Sequence, residues 1–338
     1  MRIWILSLIV LAMLVGPNRT APPLLSQESQ VLKVCDGCPY GSIQEAVDAA
    51  QPGDVIEVYP MFYNPILAYY PTAVTISKPL TLEAKPSPPW EVILIPRKFP
   101  EQPGSGLLVD PIFRIQAESG RVVIRGFVFQ DGDIVWKGGA DLVLERNRFH
   151  RTTPWSIIAI GLEGPGQAQL IENEMNDINH IEIGNGAQVL LKSNRIRPRS
   201  DNYPDSGVIY ILGPLLPEAI EEYNRVILEQ NLIEGSVFIS CSNEVRLGDN
   251  ILIGRSLRGE QPKFGLMIGA TCAQGQPPSV VQARRNLIAR YQIGIAINYC
   301  EGAVPEKELQ LSGQENVIEQ NGQDLCPADY PWPAGFRK

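Results

Sequence analysis

Eight segments in one shared frame, seven asparagines at the same place in that frame, and no helical period along the body of the chain predict an all-β protein. The predicted architecture is a right-handed parallel β-helix, a three-strand solenoid with a short N-terminal capping helix.

The frame is read from RVVIRGFVF, LVLERNRF, AQLIENEM, VLLKSNRI, VILEQNLI, VRLGDNIL, VQARRNLI and LSGQENVI. Its anchors are Phe127, Asn147, Asn173, Asn194, Asn231, Asn250, Asn286 and Asn316. Five residues earlier stand Val122, Leu142, Ala168, Val189, Val226, Val245, Val281 and Leu311, and two later stand Phe129, Phe149, Met175, Ile196, Ile233, Leu252, Ile288 and Ile318. All are apolar. The residues three before the anchor, Ile124 through Gly313, keep alternation at period 2 up to the anchor, where it slips by one and resumes. Such a slip marks a bend between two strands that both face inward. An inward Asn recurring at a bend predicts a ladder in which each side chain bonds the next coil and the bend's own backbone.

Gaps between anchors are 20, 26, 21, 37, 19, 36 and 30 residues, the lengths of single solenoid coils with or without an insertion. A third strand per coil follows in DIVW, SIIAIG, HIEIG, VIYIL, SVFIS, GLMIG and IGIAIN. Parallel stacking sets coils about 4.8 Å apart, so equivalent residues form continuous files.

The remaining elements follow from the ends. Arg2 before the apolar run from Ile3 to Val15 fits a secretory h-region, so residues 1–21 are assigned as a signal peptide or N-terminal anchor. Residues 22–41 are a lead-in. Ser42 is placed to N-cap a helix over 43–50 with Glu45 completing a capping box, and Pro52-Gly53 ends it. A helix there would plug the open end of a single β-helix domain spanning 42–322. Residues 323–338, with YPWPAGF, form an irregular C-terminal cap.

Composition sets the class of partner. The chain has 338 residues, 44% hydrophobic, enough to bury a large core. Without the first 21 residues, which hold Arg2 and Arg19 and no acid, 29 − 2 = 27 basic residues face 37 acidic ones. That excess argues against nucleic acid or an anionic membrane surface as partner. No segment after the first is long and apolar enough to span a bilayer, and a monomer is expected. Six cysteines in an exported chain suit an oxidising compartment, secreted, periplasmic or cell-surface. Cys241 with Cys272 and Cys300 with Cys326 are the favoured bridges, with Cys35 and Cys38 paired locally or free.

The stretch SIQEAVDAAQPGDVIEVYPMFYNP through VTISKPLTLEA resembles the N-terminal cap and first coils of the pectin-lyase-like superfamily of right-handed parallel β-helices, especially its NosD-type periplasmic repeat proteins. There a short helix, G-D-x-I-x-V-x-P-G-x-Y and I-x-K-P-L-T-L-x-G recur. Here Met61 and Phe62 replace the glycine region and Ala84 stands where Gly is usual. The resemblance implies the fold strongly and the function weakly, because the superfamily includes lyases, hydrolases, epimerases, esterases and scaffolds. Polygalacturonase patterns are missing apart from Arg195-Ile196-Arg197 near an R-I-K, so no catalytic residue transfers. NosD-type proteins are associated with copper-site maturation, yet the five methionines are scattered, and no metal or cofactor is expected.

Enzymes that this fold resembles place acids and a base on outward positions of neighbouring coils. Outward polar residues concentrate on three consecutive coils, as Arg148/His150, Glu174/Asn176 and Arg195/Arg197. Glu174, His150 and Arg197 are the catalytic candidates, and Arg148 and Arg195 the candidates for neutralising sugar carboxylates. Asp201 and Asp205, in the insertion after Asn194, would border the site. A salt-bridge ladder with Glu174 between two arginines is the bland reading of the same residues. The expected function is binding of an extended acidic polysaccharide, with lyase or hydrolase activity as its enzymatic form. The alternative is a non-catalytic cell-envelope scaffold or interaction module.

Overall fold

The computed structural model describes residues 29–64, 67–97, 111–151, 159–199, 207–213, 223–240, 243–256, 260–269, 278–300 and 309–336. Among these, the strands form three stacked sheets of eleven, eleven and ten strands, and the chain visits them in turn. Pairing is parallel throughout except for Phe62–Asn64 against Leu67–Thr72. The chain is a right-handed parallel β-helix.

The register places equivalent frame residues opposite one another. Val122, Leu142, Ala168 and Val189 make one file of the first sheet, which continues to Leu311. Phe129, Phe149, Met175 and Ile196 make one file of the second, continuing to Ile318. Both files point into the core, where Phe129 and Phe149 stack with ring centres 4.7 Å apart.

The one-residue slip has a backbone cause. The residue before each anchor lies in the left-handed region: Gly126, Arg146, Glu172, Ser193, Gln230, Asp249, Arg285 and Glu315 have φ between 52° and 78°. One such residue turns the chain through a corner, at a cost of about 1–2 kcal/mol for a residue with a Cβ. Seven asparagines make that corner self-consistent. Asn194 Oδ1 accepts from the Asn173 N–H at 2.9 Å and from Asn173 Nδ2 at 3.0 Å, while its Nδ2 donates to Leu170 C=O and to Asn231 Oδ1. The same four-bond pattern runs through Asn173, Asn231, Asn250 and Asn286. Each uses both amide hydrogens and both lone pairs of its oxygen. At the first anchor Phe127 has no amide, so its N–H donates to Asn147 Oδ1 and the ladder begins there.

A second, shorter polar stack closes the corner between the third and first sheets, and the sequence reading missed it. Asn224 Nδ2 donates to Asn243 Oδ1 at 2.7 Å, and Asn224 Oδ1 accepts from the N–H groups of Gly186 and Ala187. Both asparagines stand seven residues before an anchor, so the same frame would have exposed them.

The ends depart from the sequence boundaries. Val31–Val34, assigned to the lead-in, pairs with Val55–Val58 and opens the first sheet. Four residues ahead of any anchor carry too short a pattern to be read alone. At the other end Gln323–Cys326 pairs with Ile293–Ile297, so the solenoid runs past residue 322. The capping helix spans Ile43–Ala49 and buries Ile43, Ala46 and Val47 against the first coil. The Glu45 N–H donates to Ser42 Oγ, and the Ser42 N–H donates back to Glu45 Oε2, both at 3.2 Å. Ser42→Ala should therefore lower stability by about 1 kcal/mol in urea unfolding followed by circular dichroism.

Inward residues three before the anchor shrink toward the C-terminus, from Leu247 through Ala283 to Gly313. The room so created is taken by Phe336: a Cβ on Gly313 would lie 2.4 Å from its ring. The tail thus folds back as a plug for the first sheet, with Trp332 and Phe336 buried.

Cys35–Cys38 and Cys300–Cys326 are disulfides, the latter joining consecutive coils at the edge of the third sheet. Cys241 and Cys272 lie outside the described residues. Among the described residues no helix is long and apolar enough to cross a membrane.

Candidate functional site

The outward face of the second sheet carries the residues singled out above. Strands Arg148–His150, Glu174–Ile178 and Arg195–Pro198 set Arg148, Glu174 and Arg195 directly opposite one another in successive coils. The pairing differs from the expected Arg-Glu-Arg column. Arg148 bonds Glu91, two coils earlier on the other side, and reaches Glu174 only at 3.8 Å. Glu174 instead accepts from Asn176 Nδ2 at 2.9 Å on its own strand.

Arg195 turns the other way, toward Glu234 at 3.3 Å. Arg197 meets the same carboxylate with two bonds, Nε to Oε2 at 2.9 Å and Nη2 to Oε1 at 2.8 Å. Glu234 is the best-held acid of the face, with 17% of its side chain exposed. The hydrogen bond from Arg197 is the main cause that holds its carboxyl below the ordinary range, against the opposing effect of burial. The polar file therefore runs one coil further than Arg197. Glu234 stands three residues after its anchor, where the sequence shows it, but the aliphatic Leu232 two positions earlier suggested that the polar run had ended.

Beyond Glu234 the face becomes aliphatic, with Leu232, Ile251, Leu287 and Val317 in one file. His150 lies beside Gln130 in the register and is exposed, one residue beyond the inward Phe149. Among the described residues it shares no hydrogen bond or ion pair with Glu174 or Arg197, and Glu174 acts on Arg197 only as a nearby charge. Asp201 and Asp205 lie outside the described residues, and Arg199 at the base of that insertion donates to Asn179 Oδ1 at 3.4 Å.

The proton chemistry of the described chain is best developed elsewhere, at the corner formed by Asp131, Gly132 and Asp133. Asp133 is mostly buried, and burial raises its carboxyl from the ordinary 3.8 to about 6, opposed by the bond that the Ala159 N–H donates to its Oδ1 at 2.7 Å. Its neighbour Asp131 is buried with φ 61°, and the Asp131 N–H donates to His150 C=O. Asp133 therefore sits on the coil next to the arginine–carboxylate file and would titrate in the range useful for acid–base work.

The third sheet carries a file of side chains on its outer face that the strand pattern did not mark as chemical. Tyr210 and Phe238 stack with centres 5.3 Å apart, His180 meets Tyr210 edge-on, and Phe264 packs edge-on between Phe238 and Tyr299. His180 is half-buried there, and burial lowers its pKa. The long connections lie at the two borders of this sheet, whereas the corner from the first to the second sheet keeps one form in all eight coils from Gly126 onward. Among the described residues no three His, Cys, Asp or Glu side chains are grouped to hold a metal ion.

These features define a three-sheet parallel β-helix with a charged, ion-paired outer face. No family model matches the sequence, and no curated protein matches it. Two solved structures overlap it loosely. One is a mannuronic acid specific polysaccharide family 6 lyase from human gut microbiota, with TM-score 0.43 and 11% identity over 89% of this chain and 84% of that one. The other is the pectate lyase Pel9A, with TM-score 0.41 and 13% identity over 90% of this chain and 82% of that one. Overlap this loose carries no information about activity or substrate.

Proposed function

We propose that the chain is an exported β-helix that binds an extended acidic polysaccharide along the outer face of its second sheet, without cleaving it there. The observation that supports this reading is that Arg148 and Arg195 stand in one file two coils apart, with Glu174 between them, a separation of about 9–10 Å that suits alternate sugar units of an extended polymer. Arg148 and Arg195 keep 53% and 48% of their side-chain surface in solvent. Guanidinium groups placed so can offer bidentate bonds to sugar carboxylates.

Cleavage needs an acid or base that titrates near working pH. Glu234 is held ionised by Arg197, and Glu174 is engaged with Asn176 and Arg148, so the acids of this face serve the arginines. Export agrees with the disulfides and with the apolar run after Arg2. The same mutual pairing favours a second reading, a cell-envelope scaffold that binds no glycan.

A glycan array combined with an assay for unsaturated products on uronate polymers separates the readings. Binding to polyuronates is expected, weakened about tenfold by Arg148→Ala together with Arg195→Ala and by raised salt, because exposed charge contacts are screened. Glu174→Gln should leave that binding in place, with no product from either protein. Absence of glycan binding would leave the scaffold reading. Product formation lost in Glu174→Gln would show an enzyme, and a rate profile breaking near pH 6 would assign the proton to Asp133 instead.

A further inference from the structure

Among the described residues, the last strands of the second and third sheets at the C-terminal end are each paired on one side only. The first sheet is closed by the tail, since Asn316 donates its N–H and its Nδ2 to Gly335 C=O. The last strand of the second sheet, Val317–Glu319, pairs only with Leu287–Ala289 among the described residues. In a strand, successive residues present their backbone groups to opposite sides. The Val317 N–H donates to Asn286 C=O at 2.8 Å, which turns the N–H and C=O of Ile318 away from that strand, toward the side where the tail residues Trp332 and Phe336 leave Ile318 4% exposed.

Beside this edge lies a cavity of about 860 Å³. Ile318, Leu325, Trp332 and Phe336 supply its apolar walls, Glu319, Asp324 and Asp329 stand on it as acids, and among the described residues no Lys or Arg lines it. The inward file from Phe129 to Ile318 would continue into this space if one more coil were wound. On the outside, the aliphatic file of Leu232, Ile251, Leu287 and Val317 leads to the same edge, with Ile251 41% and Val317 49% exposed. Unpaired strand edges are templates for a further strand, and exposed apolar rows mark protein contacts.

We propose that this end of the solenoid docks an extended strand of a partner protein. The strand hydrogen-bonds to Ile318, inserts one apolar side chain into the cavity, and carries basic residues on either side of it. Backbone pairing supplies general affinity, as in other strand additions, and the cavity with its acids supplies selectivity. Charge decides the partner's flanks: with Glu319 and Asp329 on the site and no cation among its described lining residues, an acidic strand would be repelled.

The probe is the fluorescent hexapeptide acetyl-Lys-Val-Lys-Leu-Lys-Val-amide, titrated into the full chain and followed by anisotropy, with a counterpart carrying Glu in place of each Lys. The basic peptide should bind about tenfold more tightly than the acidic one. Glu319→Lys with Asp329→Lys should erase that preference, because it replaces both acids beside the cavity with cations. Ile318→Pro, which removes the outward N–H, should weaken both peptides; the charge-reversed protein keeps the test valid if that variant folds poorly. Equal binding of the two peptides, no binding, or insensitivity to the charge reversal would overturn the proposal. Displacement of the peptide by oligouronate would reassign the end to glycan. Self-association that uses up the site in sedimentation would make the occupant a second copy.

Discussion

Asn194→Ala should lower the stability of the solenoid by about 4–6 kcal/mol. The substitution removes the acceptor of the Asn173 N–H and of Asn173 Nδ2, and the donor to Leu170 C=O and Asn231 Oδ1. Asn173 Nδ2 keeps Leu144 C=O, and Asn231 Oδ1 keeps the Asn194 N–H, but the buried Asn173 N–H is left without a partner. A buried orphan costs about 1–3 kcal/mol, and the remaining lost bonds about 1 kcal/mol each. Asn194→Asp should be worse at neutral pH, since a carboxylate would face Asn231 Oδ1 and Leu170 C=O, both acceptors. Asn316→Ala, at the half-buried end of the ladder, should cost less than Asn194→Ala. Urea unfolding monitored by circular dichroism and by tryptophan fluorescence measures these effects, and divergence of the two probes would show that the array unfolds in parts. A loss below about 1 kcal/mol for Asn194→Ala would mean that the ladder is not what holds the corner.

Asp133→Asn should stabilise the protein at pH 7 by up to about 3 kcal/mol. The folded carboxyl titrates near 6 against 3.8 for the ordinary group, a difference of about two units at about 1.36 kcal/mol each. Between these values the folded state holds a proton that the unfolded chain has released. Stability therefore falls as pH rises from about 4 to about 6 and stays lower above it. Asparagine keeps an oxygen for the Ala159 N–H while removing the charge. Unfolding free energies of wild type and variant across pH 4–8 should converge at the acid end and separate toward neutrality. Parallel curves would show that burial does not perturb Asp133 in this way.

The two results differ in how far the sequence announces them. The asparagine ladder was legible because its residues recur in one register, and stacked parallel coils convert a sequence register into a spatial file. Asp133 was not. Its residue type and neighbours read as a turn, and its altered acidity arises from what other coils place around it. The candidate binding face lies between these cases. Arg148, Glu174 and Arg195 do fall in one file, but the file alone does not say which acid each arginine takes. Long side chains choose partners by rotamer and by the room beside them, and here Glu91 and Glu234, outside the expected column, were chosen.

By itself, then, the sequence determined the winding: three strands per coil, the inward files, the asparagine corner and the helix that caps the first coil. These follow from backbone periodicity and from hydrogen-bonding groups that must be satisfied locally or by the coil next door, and both repeat along the chain. Only the tertiary structure decided where the winding ends, which acids hold the arginines, that burial perturbs Asp133, and that Val317–Glu319, among the described residues, pairs on one side only. Those depend on non-repeating contacts. Phe336 occupies the gap left by Gly313 and closes the first sheet, no strand among the described residues pairs with the far side of Val317–Glu319 in the second, and no period in the sequence records that difference.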